Sequence, residues 1–140
     1  MTPNEMARLH AMCFAVPRPW SKDEFGALLA CSHVFAAGNR HGFALGRAIA
    51  GEAELLTLAI APEHRRRGLG RHLLASFERE ARRRGARSAF LEVSADNIPA
   101  IALYAAAGYR EAGRRSGYYR HGNSIAIDAI LMRRILPAGA

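Results

Sequence analysis

A chain of 140 residues, half of them hydrophobic and carrying a formal net charge of +8, has the length of one ordinary domain, and we expect a single domain over residues 1–140. The longest apolar runs, such as Leu55 to Ala61, fall far short of the roughly 20 residues of a membrane helix, and no signal-peptide pattern opens the chain, so the expectation is a soluble, cytoplasmic protein with no membrane partner. The positive charge is almost all arginine, Lys22 being the only lysine. It would suit an acidic partner, but no stacking aromatics interleave the arginines and no nucleic-acid motif occurs, which leaves nucleic acid at most incidental.

Two helices are expected first. Thr2, Pro3 and Glu5 fit an N-cap, a first-turn proline and a capping-box glutamate. Ser21 and Glu24 form a second capping box, with Trp20 and Phe25 at the positions of a hydrophobic staple. Cys13 and Cys31 have no metal-ligand spacing and are expected to be small buried free thiols. From His33 to Ala61 the pattern becomes that of strands, broken at Gly38 to Gly42 and near Gly51, as in an antiparallel meander. Its last member, Glu54 to Ala61, is almost wholly apolar and is expected to be central and buried on both faces.

Beyond Pro62 the period turns helical, with Leu69, Leu73, Leu74, Phe77 and Ala81 on one face and the pairs Glu78/Arg82 and Glu80/Arg84 on the other, closed by Gly85. A strand over Ser88 to Val93 follows, then a helix capped by Asp96 or Asn97, with Pro99 in its first turn and Gly108 at its end. Strands near Tyr109 to Arg114 and Ser124 to Arg133 finish the chain. The order implies an α/β (α+β) fold, a mixed sheet flanked by helices.

The chemistry concentrates at Leu58-Ala59-Ile60-Ala61-Pro62-Glu63-His64-Arg65-Arg66-Arg67-Gly68-Leu69-Gly70-Arg71, a buried strand running into a basic, glycine-containing helix start. Unpaired first-turn amides and the positive end of the helix dipole attract an anion, and Gly68 and Gly70 remove side chains where oxygen must approach. Helix formation alone asks for neither glycine, since each costs up to about 1 kcal/mol relative to alanine. The spacing is neither the dinucleotide fingerprint nor the Walker loop. The six histidines include no H-x-x-x-H or other metal grouping, and His64 and His72 read as surface residues.

Arg65-x-x-Gly68-x-Gly70 resembles the pyrophosphate-binding Q/R-x-x-G-x-G/A signature of the GNAT superfamily of acetyltransferases. Pro19-Trp20-Ser21, Leu56-Thr57-Leu58-Ala59-Ile60, Leu91-Glu92-Val93, Asn97, Ala102-Leu103-Tyr104, Gly108-Tyr109, Tyr118-Tyr119 and Asp128-Ala129-Ile130-Leu131-Met132 resemble, in order, segments of its members that acetylate a ribosomal protein's N-terminal alanine. The stretch from about Ser32 to Gly51 is shorter than in those members.

The resemblance implies a GNAT fold with splayed central strands and acetyl-coenzyme A as cosubstrate, with no metal. It implies that Leu58, Ala59 and Ile60 pair with the pantetheine arm, that Arg65, Arg66, Arg67, Gly68, Leu69, Gly70 and Arg71 hold the pyrophosphate, and that Asn97 also contacts the cofactor. It places a general base at Glu92, a general acid at Tyr104 and the acceptor peptide under Tyr118 and Tyr119. The acceptor it implies is the N-terminal amine of a protein, of the ribosomal small subunit in particular, attacking directly in a ternary complex. A small amine or a lysine side chain is the alternative acceptor, and an arginine-rich nucleic-acid module the remaining reading. An α-amine is the easier acceptor for a base of modest strength, being neutral in about one molecule in ten at pH 7 against fewer than about one in a thousand for lysine.

Overall fold

The computed structural model describes residues 1–14, 18–65, 67–121 and 125–138. Expected positions Arg66 and Ser124 lie outside the described residues.

The N-terminal helices form where their caps predict. Helix α1 (Pro3–Cys13) opens with Thr2 accepting from the Glu5 N–H while Glu5 accepts from the Thr2 N–H, and α2 (Lys22–Leu29) opens with the same reciprocal pair between Ser21 and Glu24. Strands β1 (Val34–Asn39), β2 (Gly42–Ile49) and β3 (Glu52–Ile60) make the expected antiparallel meander. A short 3₁₀ turn (Pro62–His64) leads to helix α3 (Leu69–Arg83), strand β4 (Ser88–Ser94) and helix α4 (Ile98–Ala106), the last capped by Asn97. Strands β5 (Arg110–His121) and β6 (Ile125–Ile135) complete a six-stranded sheet of order β1-β2-β3-β4-β6-β5, antiparallel except for β3 beside β4.

One core lies between the sheet and α3 and α4, built on Leu55, Leu73, Leu74, Phe77, Leu91 and Tyr109. The other lies under α1 and α2, built on Met6, Leu9, Phe25, Phe43 and Leu45. Among the described residues no helix is long and apolar enough to cross a membrane.

Strand β3 departs from the expected uniform burial. Leu45 pairs with Thr57 but Gly46 pairs with Leu55, so Leu56 is an extra residue, a β-bulge. The bulge switches the side-chain phase. Ala53 and Leu55 join the α3 core, whereas Ala59 and Ala61 join the α1/α2 core and Leu58 and Ile60 pack back toward α3. An all-apolar run hides that change of phase, which is why the sequence reads as one continuous buried strand.

Two other expectations are corrected. Glu78 does not pair with Arg82. It stands four residues after Leu74 and three before Ala81, so it points inward, where it accepts from the Tyr109 hydroxyl at 2.8 Å and from Arg134 at 2.8 Å. Glu80 makes the expected surface pair with Arg84 and a second with Arg83. The cysteines are free thiols but not buried: Cys31 is exposed at the end of α2, and Cys13 is half-buried with its thiol donating to the Ile60 carbonyl at 3.1 Å.

A buried histidine holds α1 to the sheet. His10, 1% exposed, accepts from the Trp20 N–H through Nδ1 at 3.1 Å, so its proton lies on Nε2, which faces the Thr57 hydroxyl at 3.0 Å. Phe14, Trp20 and Phe25 surround the ring. Burial depresses His10 to about 4, against a slight opposing effect of Glu24. The unfolded chain therefore takes up a proton near 6.5 that the folded chain refuses until about 4, so stability is full above that window and falls as pH drops through it, by up to about 3 kcal/mol. In thermal melts between about pH 7 and about pH 4.5, His10→Gln should lose less Tm than the parent, because glutamine keeps a donor and an acceptor without a titrating ring.

Candidate active site

The bulge at Leu56 opens the site. Strands β3 and β4 pair in parallel from Glu52↔Ser88 to Leu55↔Leu91 and no further, although β3 continues to Ile60 and β4 to Ser94. Beyond Leu55 each strand keeps only its outer partner, β2 for β3 and β6 for β4. A wedge is left between them.

Its β3 wall carries free backbone groups. The Ala61 N–H donates to His41 at 2.8 Å, and counting back in twos puts the N–H groups of Ala59 and Thr57 on β2 as well. The N–H and C=O groups of Leu58 and Ile60 therefore face the wedge. The Ile60 carbonyl is taken by the Cys13 thiol and by Arg65 Nε at 3.2 Å. Arg65 thus bends back onto the strand end, while Arg67 and Arg71 are exposed.

At the mouth of the wedge, α3 begins differently from the other helices. Whereas α1, α2 and α4 each have a side chain accepting from a first-turn amide, α3 starts at Gly68 with no side-chain cap and no acidic residue in its first turn. The amides of a four-turn helix point outward beside Arg67, the arrangement that receives an anion. Gly68 takes φ +77° with no atom within 4 Å of where a Cβ would stand, so the turn is both left-handed and open. Gly70 has another role: its absent Cβ would lie 3.1 Å from Ile60 Cδ1 and 3.1 Å from Leu103 Cδ2, so it lets α3 close onto β3 and α4. Leu69 is partly buried against the α3 core. His41 and His64, with ring centroids 4.0 Å apart, line a cleft beside the loop together with His72.

Glu92 stands on β4 opposite Leu131, one residue past the last β3–β4 pair. Its Oε1 lies 3.2 Å from Arg115 Nη2, and its Oε2 is buried with no hydrogen-bond partner among the described residues. Tyr104, 7% exposed, lies on α4 next to Leu103 and packs edge-on against Tyr109 with centroids 6.1 Å apart. Burial pushes its phenol well above the usual tyrosine range. Asn97 spends its side-chain oxygen on the Ala100 N–H, which leaves its amide N–H groups as the donors it can offer.

Tyr118 and Tyr119, which the expected strand bounds leave in a turn between the last two strands, lie within β5. Tyr118 is exposed. Tyr119 is half-buried, its phenol pushed up first by burial and then by the charge of Glu92. The structure thus brings Gly70, Ile60 and Leu103, the residue before Tyr104, together, and sets Glu92 on β4 across the parting from Leu58 and Ile60, within reach of Arg115 on β5. Leu56 and Arg115 went unrecognised in the sequence. Arg115 was hidden among the many surface arginines, and only its nearness to Tyr118-Tyr119 could have marked it.

Residues 4–109 match the acetyltransferase (GNAT) family. The chain is 37% identical over 105 residues to the [ribosomal protein bS18]-alanine N-acetyltransferase of Escherichia coli K12, covering 72% of this chain and 71% of that protein. It is 35% identical over 137 residues to the N-alpha-acetyltransferase RimI of Mycobacterium tuberculosis, covering 91% and 83%. Its structure matches the crystal structure of the Escherichia coli ribosomal-protein-S18-alanine N-acetyltransferase with a TM-score of 0.85 at 30% identity, over 99% of this chain and 90% of that one. With its mixed six-stranded sheet, parted central strands and uncapped helix start, the chain belongs to the GNAT family of acetyltransferases and is an acetyl-coenzyme A-dependent N-acetyltransferase.

Proposed function

We propose that residues 1–140 form one catalytic domain that transfers acetyl from acetyl-coenzyme A to the N-terminal amine of a protein, and that the acceptor is a ribosomal small-subunit protein with an N-terminal alanine, met in the cytoplasm. The observation that carries the reading is the orphan Oε2 of Glu92, a buried acceptor on the residue that follows the last β3–β4 pair, where the two strands part. The bS18-alanine acetyltransferase similarity extends on both sides of the cofactor loop, which supports the choice of an α-amine over a lysine or a small amine.

The chain's residues divide the work. The first-turn amides of Leu69, Gly70 and Arg71, with Arg66 and Arg67 adding attraction, hold the pyrophosphate, and Asn97 donates to the cofactor from the opposite side. Leu58 pairs with the pantetheine arm through its N–H and C=O and Ile60 through its N–H, Ala59 keeping the strand on β2. The Ile60 N–H then receives the thioester oxygen as it gains charge. Glu92 takes the proton of the acceptor's ammonium, whose nitrogen attacks the thioester carbonyl. As the carbon–sulfur bond breaks, Tyr104 gives its proton to the departing thiolate, and the second proton leaving the attacking nitrogen as the amide forms restores the phenol. Burial makes the phenol a weak acid, and the same dry surroundings disfavour the thiolate, which offsets that. Tyr118 and Tyr119 flank the acceptor peptide.

Three measurements check these roles. Gly68→Ala should lose about 1 kcal/mol of stability from the left-handed backbone and keep most of its affinity for coenzyme A. Gly70→Val should lose both, since it pries α3 from Ile60 and Leu103. Arg67→Ala should weaken calorimetric affinity in a salt-dependent way only.

Tyr104→Phe should keep fold and cofactor affinity while turnover falls by about 10²–10⁴-fold. Since Tyr104 stays protonated far into the alkaline range, the parent's pH–rate profile should show no falling limb from it below about pH 10. A variant within about twofold of the parent would assign Tyr104 to packing alone.

Glu92→Gln should be strongly impaired at about pH 7, with the deficit shrinking above about pH 8, where the amine arrives already neutral. An equal deficit at both ends of that range, or equal acetylation of an N-terminally blocked peptide containing one lysine, would contradict the assignment.

A further inference from the structure

We propose that Arg115 is the exchangeable counter-ion of Glu92: it occupies the carboxylate while the acceptor site is vacant and gives up that place to the acceptor's ammonium. The proposal rests on the reading of Glu92 as the base.

The two oxygens of Glu92 are in different situations. Oε1 faces Arg115 Nη2 at 3.2 Å, whereas Oε2 is buried and unpartnered. A buried acceptor without a donor is costly, and a protonated amine, with three N–H groups and a positive charge, satisfies both oxygens at once. Arg115 can leave without disturbing the core. Its side chain is 60% exposed against 25% for Glu92, and its Cζ lies 4.9 Å over the ring of Tyr118, an aromatic face on which a displaced guanidinium can rest.

The backbone beneath Arg115 is shaped to place it there. Arg115 pairs with Ala129 and Tyr119 with Ile127, so four steps along β5 oppose two along β6, and a wide bulge lies between them. Gly117 takes φ +60° within it, and a Cβ there would come within 3.2 Å of the Ala126 Cβ. Asp128 pins the bulge, accepting from the Gly117 N–H at 2.9 Å and from Arg114 at 3.2 Å, while Arg114 also reaches Glu111 at 3.3 Å. Every other carboxylate near this bulge is thus engaged by Arg114 or the backbone, and Arg115 is directed to Glu92.

This arrangement has two consequences. A free N-terminus brings the charge that displaces Arg115, while an acetylated one does not, so the return of Arg115 favours release of product. The exchange also leaves the ammonium bonded directly to Glu92, its proton acceptor, with the guanidinium out of the way.

Steady-state kinetics on a free-amine peptide, at saturating acetyl-coenzyme A, test the proposal through a KM-against-kcat split. With its competitor removed, R115Q should lower the peptide KM by about three- to tenfold and lower kcat by a similar factor, the ammonium now being held too well in the ground state. R115K, which keeps the charge, should return both values to those of the parent. In an E92Q background R115Q should change neither further. A KM that is unchanged or raised in R115Q, or a failure of R115K to restore it, would overturn the counter-ion role while a strongly impaired E92Q left the base reading standing. Parental turnover in E92Q would overturn both.

Discussion

One extra residue in one strand is the constraint on which the site depends. Leu56 has no partner in β2, and the bulge it makes bends β3 away from β4 after only four residues of parallel pairing. Without it the two strands would close ladder to ladder, and the backbone groups of Leu58 and Ile60 would be spent inside the sheet. With it they line a wedge, while β2 still holds the strand from its other side. The same bulge turns Thr57 toward α1, where the hydroxyl meets His10, so the parting of the sheet and the docking of the N-terminal helices come from a single irregularity.

Around the wedge, unsatisfied groups are few and concentrated. Three helices spend side chains on their first-turn amides, and the fourth, α3, does not. Among the buried side-chain atoms described, only Glu92 Oε2 is without a partner, although the interior accommodates a glutamate at position 78 by surrounding it with Arg134 and the Tyr109 hydroxyl. Since the fold satisfies Glu78 fully, the open acceptor at Glu92 is a property of the site. Tyr109 connects the two regions, bonded to Glu78 on one side and packed against Tyr104 on the other.

Much of this was legible in the sequence. The capping boxes located α1 and α2, glycines marked the ends of α3 and α4, and Arg65-x-x-Gly68-x-Gly70 marked the phosphate loop because two glycines at a helix start have no helical purpose. Periodicity failed where its assumptions failed. An all-apolar run cannot reveal the residue at which its phase changes, so the bulge at Leu56 was invisible. A glutamate on a helical stripe reads as solvent-facing unless its buried partners are known, and those of Glu78 lie 31 and 56 residues away. The two loop glycines look equivalent in sequence, yet Gly68 opens the turn and Gly70 closes the packing. Strand β5 runs on past Arg114 to include Tyr118 and Tyr119 through two bulges, which interrupt the alternation by which a strand is read.

The dependence of the cofactor site on the bulged strand is open to direct measurement by amide hydrogen exchange, residue by residue, with and without acetyl-coenzyme A. Leu58 and Ile60, whose N–H groups face the wedge, should gain protection when the cosubstrate binds, while Thr57 and Ala59, already paired with β2, should change little. Protection that rises equally along all four residues, or that leaves Leu58 and Ile60 unchanged while the first turn of α3 becomes protected, would contradict the role of the parted strand.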